Sequence, residues 1–387
     1  MEKIPKFAVL SHILPPSPSG QAVILYRLLK DMDKNQYCLI SSKDYIREDK
    51  LISTKKLPAK YYKIEQTYKS GFFLLDLCLA ARKIKKILIK EKCQVLLVCS
   101  GGFQDMPAAY LACRWAKVKL VPYVFDDYVY QWQNRQRKLA AWMMPKIAKA
   151  SVNIIVPNEF IKKDYEGQYK IKCTLIHNSQ IPIDLKKVDQ AKPVFNKKEI
   201  NIVYTGMVYH ANYDAFHNLI EAVEKIGKIN GKKVIIHIYS LQSASDLAKI
   251  RIKGKNIIVH EHIHQSEVHA VQRQADILFL PLGFKTPIKE VIRTSAPSKM
   301  AEYLTIGRPI LIHVPADTYI NWYFEKNKCG IVVNQSNPAI LAKAIVNLVK
   351  NPKLQKLISR QAIIMAEKEY SLKESRKRFF ELLQSLN

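Results

Sequence analysis

The chain has 387 residues, enough for two domains with separate cores, and its hydrophobic content of 48% is ordinary for a water-soluble fold. No run of 18 apolar residues occurs, so no transmembrane helix is expected, and the start MEKIPKFAVLSHIL has too short an apolar core for a signal peptide. Lys and Arg total 62 against 33 Asp and Glu, a net charge of +29 that favours phosphorylated substrates, anionic lipid or nucleic acid.

Cysteines stand at 38, 78, 93, 99, 113, 173 and 329, mostly in apolar runs, with no CxxC and no metal spacing. Free thiols in a reducing cytoplasm are the expectation, and no metal site.

Residues 7–12 read as the first strand, PPSPSG at 15–20 as a loop and 21–29 as a helix. Strand, glycine loop and helix is the layout that cradles phosphate, although one glycine, Gly20, carries little of that signal. Residues 37–41 read as a second strand. Residues 72–92, FFLLDLCLAARKIKKILIKEK, form a basic amphipathic helix. Its apolar stripe includes Leu74, Leu75, Leu79, Ile84 and Leu88, and Arg82, Lys83, Lys85, Lys86, Lys90 and Lys92 crowd its second half. Such a helix suits either a sheet-covering position or an anionic membrane surface.

Residues 95–99 read as a strand ending in Ser100-Gly101-Gly102, 107–116 as a helix, and 120–125 as a strand ending in Asp126-Asp127. Carboxylates at the C-terminal end of a parallel strand stand where α/β proteins place their sites, which makes Asp127 a candidate; one of the pair could equally cap the next helix. The pair is not a DxD metal motif. Residues 133–150 set Trp142 and Met143 beside Arg135, Arg137, Lys138, Lys146 and Lys149, a second candidate for a membrane interface, bent or split at Pro145. Short strands at 152–156 and 174–177 come next, the latter closed by His177-Asn178.

Residues 182–199, polar and with two prolines, read as an interdomain linker. This divides the chain into a domain at 1–181, the linker, a domain at 200–370 and a final amphipathic helix at 371–387. The second domain opens with a strand at 202–204, a turn at Thr205-Gly206, a loop at 207–212 and a helix at 215–226 capped by Asn212 or Asp214. Gly206 lets the backbone approach a phosphate, and His210 could meet a diphosphate. Strands are expected at 234–239, 257–260 and 276–280, a helix at 267–274, a loop at 283–294 and helices at 341–350 and 352–370. EHIH at 261–264 alternates without a further ligand, and no metal site is expected there.

Residues 296–314, APSKMAEYLTIGRPILIHV, read as loop, short helix, glycine stop and buried strand. Pro297 and Ser298 open the helix, Ser298 as its cap, and Gly307 supplies a left-handed stop. The first turn then offers N–H groups, Lys299 and a positive dipole end, a combination suited to phosphate. Glu302 shares a helix face with Ser298 and Lys299, and a carboxylate beside a phosphate suits a ribose diol. An ordinary βα unit with a surface Lys and Glu has the same pattern.

Within that stretch, PSKMAEYLTIGRPIL resembles the donor-binding segment of the retaining glycosyltransferases of family 4 (the group 1 family), which have the GT-B fold. PPSPSGQA at 15–22 resembles their N-terminal glycine loop, NIVYTGMVYHANYDAFHNLIEA at 201–222 the first strand, loop and helix of their C-terminal domain, and DILFLPLG at 276–283 the strand before the donor loop. The pieces stand in family order along nearly the whole chain. The resemblance implies an α/β fold of two Rossmann-like domains facing each other across a cleft, with a C-terminal helix crossing back to the first. It implies a nucleotide-diphosphate sugar as donor substrate, a retaining transfer, and no metal or cofactor. Gly20 would face the cleft on the acceptor side, Asp127 would orient the acceptor, and Ile263 would contact the nucleobase.

Two departures stand out. Family members commonly carry an Arg and a Lys just after the Gly206 turn, where this chain reads VYHANYD. Glu302 fits the second member of the family's carboxylate pair, but Thr294 stands where the first should be. The donor sugar is then expected on backbone N–H groups of the 294–296 loop. Charge and the two basic helices suggest a saccharide or lipid-linked acceptor, with peripheral contact at the inner face of the membrane. Rival readings are a non-hydrolysing sugar-nucleotide epimerase on the same fold, which needs more acid/base groups, and a basic nucleic-acid-binding protein, for which no base-reading motif is present.

Overall fold

FAVL, VLLVC and ILFLP have no polar alternation, and each is a fully buried strand of a parallel sheet in the computed structural model. The structure describes residues 4–17, 19–43, 56–64, 73–260, 263 and 265–387. It divides into two units, residues 1–179 with 372–387, and residues 180–371.

In the first unit the chain runs β1 (Phe7–Leu10), α1 (Gly20–Leu29), β2 (Tyr37–Ser41), β3 (Lys60–Lys63), α2 (Phe73–Lys90), β4 (Val95–Cys99), α3 (Asp105–Ala116), β5 (Lys119–Tyr123), α4 (Asn134–Ala150), β6 (Ile154–Val156), α5 (Glu159–Tyr169) and β7 (Cys173–Leu175). The strand order is β3-β2-β1-β4-β5-β6-β7, with every pair parallel. One face of the sheet is covered by α2, α3 and α4, which bury Leu77, Ala81, Ile84, Leu88, Met106, Met144 and Ile147. At the rim of this sheet Glu91 is buried against Lys6 at 2.9 Å, Lys60 at 3.2 Å and the Tyr62 hydroxyl. The Tyr62 and Lys6 hydrogen bonds hold its carboxyl down to about 2.

The second unit runs α6 (Leu185–Asp189), β8 (Glu199–Thr205), α7 (Tyr213–Ile226), β9 (Lys228–Ile229), β10 (Lys232–Tyr239), α8 (Ala244–Lys249), β11 (Ile257–His260), α9 (Gln265–Gln274), β12 (Ile277–Pro281), α10 (Lys289–Thr294), α11 (Ser298–Ile306), β13 (Ile310–His313), α12 (Tyr319–Asn327), β14 (Ile331–Val333), α13 (Pro338–Lys350) and α14 (Pro352–Glu369). Its parallel order is β11-β10-β8-β12-β13-β14, and the short β9 pairs antiparallel with β10. Two imidazoles are buried in it. His313 donates from Nδ1 to Val333 O at 2.8 Å and accepts from Asn218 Nδ2 at 3.0 Å. His237 meets Asn201 Oδ1 at 3.0 Å and His260 Nε2 at 2.9 Å. Asn201 Nδ2 donates to Asp276, so Oδ1 is its accepting end and His237 donates from Nε2. Burial pushes His313 down to about 4, and burial with His260 nearby does the same to His237.

The last helix, α15 (Leu372–Gln384), belongs to the first unit. Phe379, Leu382 and Leu383 sit in the core with Phe7, Leu25 and Leu28, and the Phe379 ring meets Phe7 edge-on at 6.2 Å. Arg376 anchors it through Arg27 O at 3.0 Å and Asp31 at 2.6 Å.

Several sequence expectations change here. Residues 182–199, read as linker, carry a short helix and are bonded to the second unit: α6 is capped by Asp184, Asp189 pairs with Arg273 at 2.8 Å, and Val194 N donates to Gln274 at 2.7 Å. The polar composition read as linker makes these bonds. The 283–294 loop contains α10. α4 runs through Pro145 unbroken, with the proline exposed on the outer side. Phe72, Glu261, His262 and His264 lie outside the described residues.

Candidate functional site

The second unit gathers the residues that the sequence offers to a phosphate. β8 ends in Thr205, and Gly206 comes next with φ +130°, a conformation that side chains other than hydrogen rarely tolerate. A Cβ on Gly206 would lie 2.3 Å from Lys299 Nζ. The glycine is therefore what lets the Lys299 side chain lie across the turn, and its ammonium also sits 5.2 Å from the Tyr204 ring centroid. Gly206 and Lys299, apart by most of a domain in sequence, are brought together.

Lys299 is in the first turn of α11. Pro297, not Ser298, is the N-cap; Ser298 is already helical, and the cap makes no side-chain hydrogen bond. Ser298 as a capping residue is thus corrected. The physical reason is Pro297, whose fixed extended backbone at φ −62° and ψ 145° sets the helix start one residue earlier. The helix stops at Gly307, φ +67°. A positive dipole end with Lys299 upon it is a place for an anion.

Glu302, a turn further on and half-buried, receives Gln272 Nε2 at 3.5 Å. The same Nε2 donates to Thr205 Oγ1 at 2.8 Å, and Thr205 N donates to the Tyr303 hydroxyl at 3.2 Å. Gln272 and Tyr303 were not expected at the site. Their signal was only tertiary, since a buried glutamine on a helix has no periodicity of its own.

The loop after Gly206 is latched by Gln242, which exchanges hydrogen bonds with Val208 N at 2.7 Å and Val208 O at 2.9 Å. Asn212 precedes α7 but accepts from Tyr209 N at 2.9 Å, folding this loop instead of capping the helix. Asp214 stands inside the first turn of α7 and accepts from Ala215 N at 2.9 Å, and it also reaches outside the helix. It accepts from Phe284 N at 2.9 Å and Lys285 N at 2.6 Å, holding the loop after β12 against the start of α7. His210 is exposed, its ring 5.7 Å from that of Tyr209. Ile263 is half-buried in the connection between β11 and α9. Thr294 ends α10 and is buried, its hydroxyl donating to Glu290 O at 3.3 Å.

In the first unit, Asp127 lies just beyond β5 and is buried. Its Oδ1 accepts from Val129 N at 2.8 Å and Tyr130 N at 2.9 Å. It closes its own turn and does not cap the next helix, α4, which starts at Asn134 with Gln133 as N-cap. Asp126 beside it is exposed. Gly20 opens α1, capped by Ser19, with open space where a Cβ would point, so nothing there demands glycine. Gln21 bonds to Ser11, and His12 to Ser42 at 3.1 Å, giving the end of β1 polar residues that sequence reading passed over.

The comparisons with known proteins respect this division. Residues 199–351 match the family model described as Glycosyl transferases group 1. No curated protein matches the chain in sequence. Among solved structures, a glycosyltransferase from Rickettsia africae is similar at TM-score 0.69 and 13% identity over 98% of both chains. Sucrose-phosphate synthase from Thermosynechococcus elongatus is similar at TM-score 0.67 and 11% identity over 98% of both chains. HepE from Anabaena, solved in complex with UDP and glucose, is similar at TM-score 0.68 and 11% identity over 98% of this chain and 100% of its own. At such identities the structures speak for the fold, and the family model speaks for the second unit. The fold of the whole chain is therefore that of the GT-B glycosyltransferases, and residues 199–351 carry the match to a group 1 glycosyl transferase domain.

Proposed function

We propose that the chain moves a sugar from a nucleoside-diphosphate donor to a saccharide or lipid-linked saccharide acceptor, in assembly of a polysaccharide or other cell-surface glycan. The transfer retains anomeric configuration and uses neither metal nor resident cofactor. One observation carries the reading: Lys299 lies across the Gly206 turn at the N-terminus of α11. A cation, a helix N-terminus and a side-chain-free turn converge where a diphosphate leaving group needs negative charge stabilised. The UDP and glucose bound by HepE, a protein of the same fold, support a nucleoside diphosphate as the ligand. In this reading Glu302 accepts the ribose hydroxyls, and His210 and Ile263 lie along the nucleotide. Backbone N–H groups at 294–296 hold the sugar. Gly20 and Asp127 belong to the acceptor side, Asp127 orienting the acceptor hydroxyl next to the turn it caps.

A membrane-associated acceptor is supported by the outer faces of α2 and α4. Leu74, Leu75 and Leu79 are exposed near Arg82, Lys83 and Lys86, and Trp142 is exposed with Lys146 Nζ 3.0 Å from its ring centroid. α3 packs against both helices, so the two belong to one layer. Apolar and basic side chains together suit anionic lipid headgroups at the cytoplasmic face. No helix among the described residues is long and apolar enough to cross a membrane.

A thermal-shift screen of UDP, GDP, ADP, CDP and dTDP tests the donor site, because a ligand that binds only the folded chain raises its melting temperature. One of the five should raise it, and Lys299→Ala should abolish the shift. No shift with any of them removes the donor site. Flotation with anionic liposomes tests the acceptor location, and a chain that stays at the bottom of the gradient removes it.

A further inference from the structure

Gln272 is the most completely buried polar side chain near α11, with no exposed surface. Its Oε1 has no hydrogen-bond partner among the described residues. A buried carbonyl left unpaired lowers stability, so an apolar side chain of equal size would fill this position better. The amide does something an apolar group cannot: from one nitrogen it binds Thr205 Oγ1 at 2.8 Å and Glu302 Oε2 at 3.5 Å. The carboxylate is an acceptor only, which fixes Nε2 as the end that faces it. Without that tether Glu302 is free to fold toward Lys299, three residues earlier on the same helix face. It would then neutralise the cation and turn its oxygens away from a diol.

We infer that Gln272 is a positioning residue that holds the Glu302 carboxylate open to the ribose hydroxyls of a nucleoside diphosphate and apart from Lys299. This rests on reading α11 as the nucleotide-binding helix, and it adds the residue on α9 that keeps the helix in its binding state.

The test uses the full chain, with UDP, GDP, ADP and CDP and the 2′,3′-dideoxy form of each, titrated into wild type, Gln272→Met, Gln272→Glu and Glu302→Ala. Gln272→Met should melt no lower than wild type without nucleotide, yet bind the ribonucleotide about tenfold more weakly, the worth of one hydrogen bond to a charged group. Its affinity for the dideoxy form should change far less. Gln272→Glu sets two carboxylates side by side, so its loss of ribonucleotide affinity should be greater at pH 8 than at pH 6, where protonation relieves the repulsion. This second variant keeps the question open to measurement should Gln272→Met fold poorly. The positioning role is overturned if both forms of the nucleotide weaken equally in Gln272→Met. It is also overturned if Gln272→Met binds like wild type while Glu302→Ala does not, a result that leaves the nucleotide site standing. Failure of wild type to bind any of the four ribonucleoside diphosphates overturns the inference, and failure with dTDP as well overturns the site.

Discussion

Asp127 and Glu302 are both carboxylates near the C-terminal ends of parallel strands, and their surroundings differ sharply. Asp127 is buried, with Oδ1 saturated by two backbone N–H groups of its own turn. Glu302 is half-buried on the second turn of a helix and receives one long hydrogen bond from another helix. The first carboxylate builds backbone; the second is held in place by a neighbour whose geometry could be disturbed without unfolding anything. The same contrast runs through the units around them. The first buries an acid, Glu91, among cations, and an imidazole, His177, 3.4 Å from Glu159; the second buries His237 and His313, both pushed toward the neutral form by burial.

Acid should separate the two units, the largest effect expected. His237 and His313 have pKa values lowered from 6.5 to about 4, so the unfolded chain takes up protons first as pH falls below 6.5. Stability from these two is complete above pH 6.5 and is lost between 6.5 and 4, each on the order of 3 kcal/mol. Glu91, lowered from 4.5 to about 2, gives up its contribution only as pH falls through that lower window. Hydrogen exchange at pH 7 and pH 5 should show the second unit loosening while the first stays protected. Equal loss in both would mean the imidazoles are not what distinguishes them.

Next in size, Lys299→Ala should lower transfer by about a hundredfold, the typical loss on removing one preorganised charge from a developing anion. Its melting temperature without nucleotide should move little, since the Lys299 ammonium lies over the turn and the Tyr204 ring and Lys299 is only half-buried. Gly206→Ala should do both kinds of harm. It strains a φ of +130°, which costs about 1–3 kcal/mol, and it displaces Lys299, so nucleotide affinity and melting temperature should fall together.

The smallest effect sharpens the comparison most. Asp127→Ala removes the turn acceptor and should cost about 1 kcal/mol in a urea melt. Asp127→Asn keeps an oxygen for Val129 N and Tyr130 N, so stability should match wild type. Activity of the Asn variant then reports on charge alone: full activity confines Asp127 to its turn, and a loss places it with the acceptor.

Where a segment is buried on both faces, composition alone identifies it, and β1, β4, β12 and β13 were readable for that reason. β3, KYYK, is an edge strand with exposed ends and no apolar run to betray it. α5 was missed because only Ile161 and Tyr165 of its eleven residues are buried, too sparse a stripe to mark a helix. At the site, Lys299 and Glu302 could be paired from local spacing, and Gly206 from its turn. That Gly206 makes room for Lys299, or that Gln272 reaches Glu302, depends on β8, α9 and α11 meeting in three dimensions. No spacing in the sequence encodes those distances.

The placement of α15 has a consequence for how this protein is made. The second unit is continuous in sequence and can complete its core as soon as α14 is available. The first unit starts at the beginning of the chain yet lacks Phe379, Leu382 and Leu383 until the last helix emerges. During synthesis its core therefore stays open after that of the second unit can close. Until residues 372–387 are made, the side chains that α15 covers, Phe7, Leu25 and Leu28 among them, face the chaperones of the cell instead of a core.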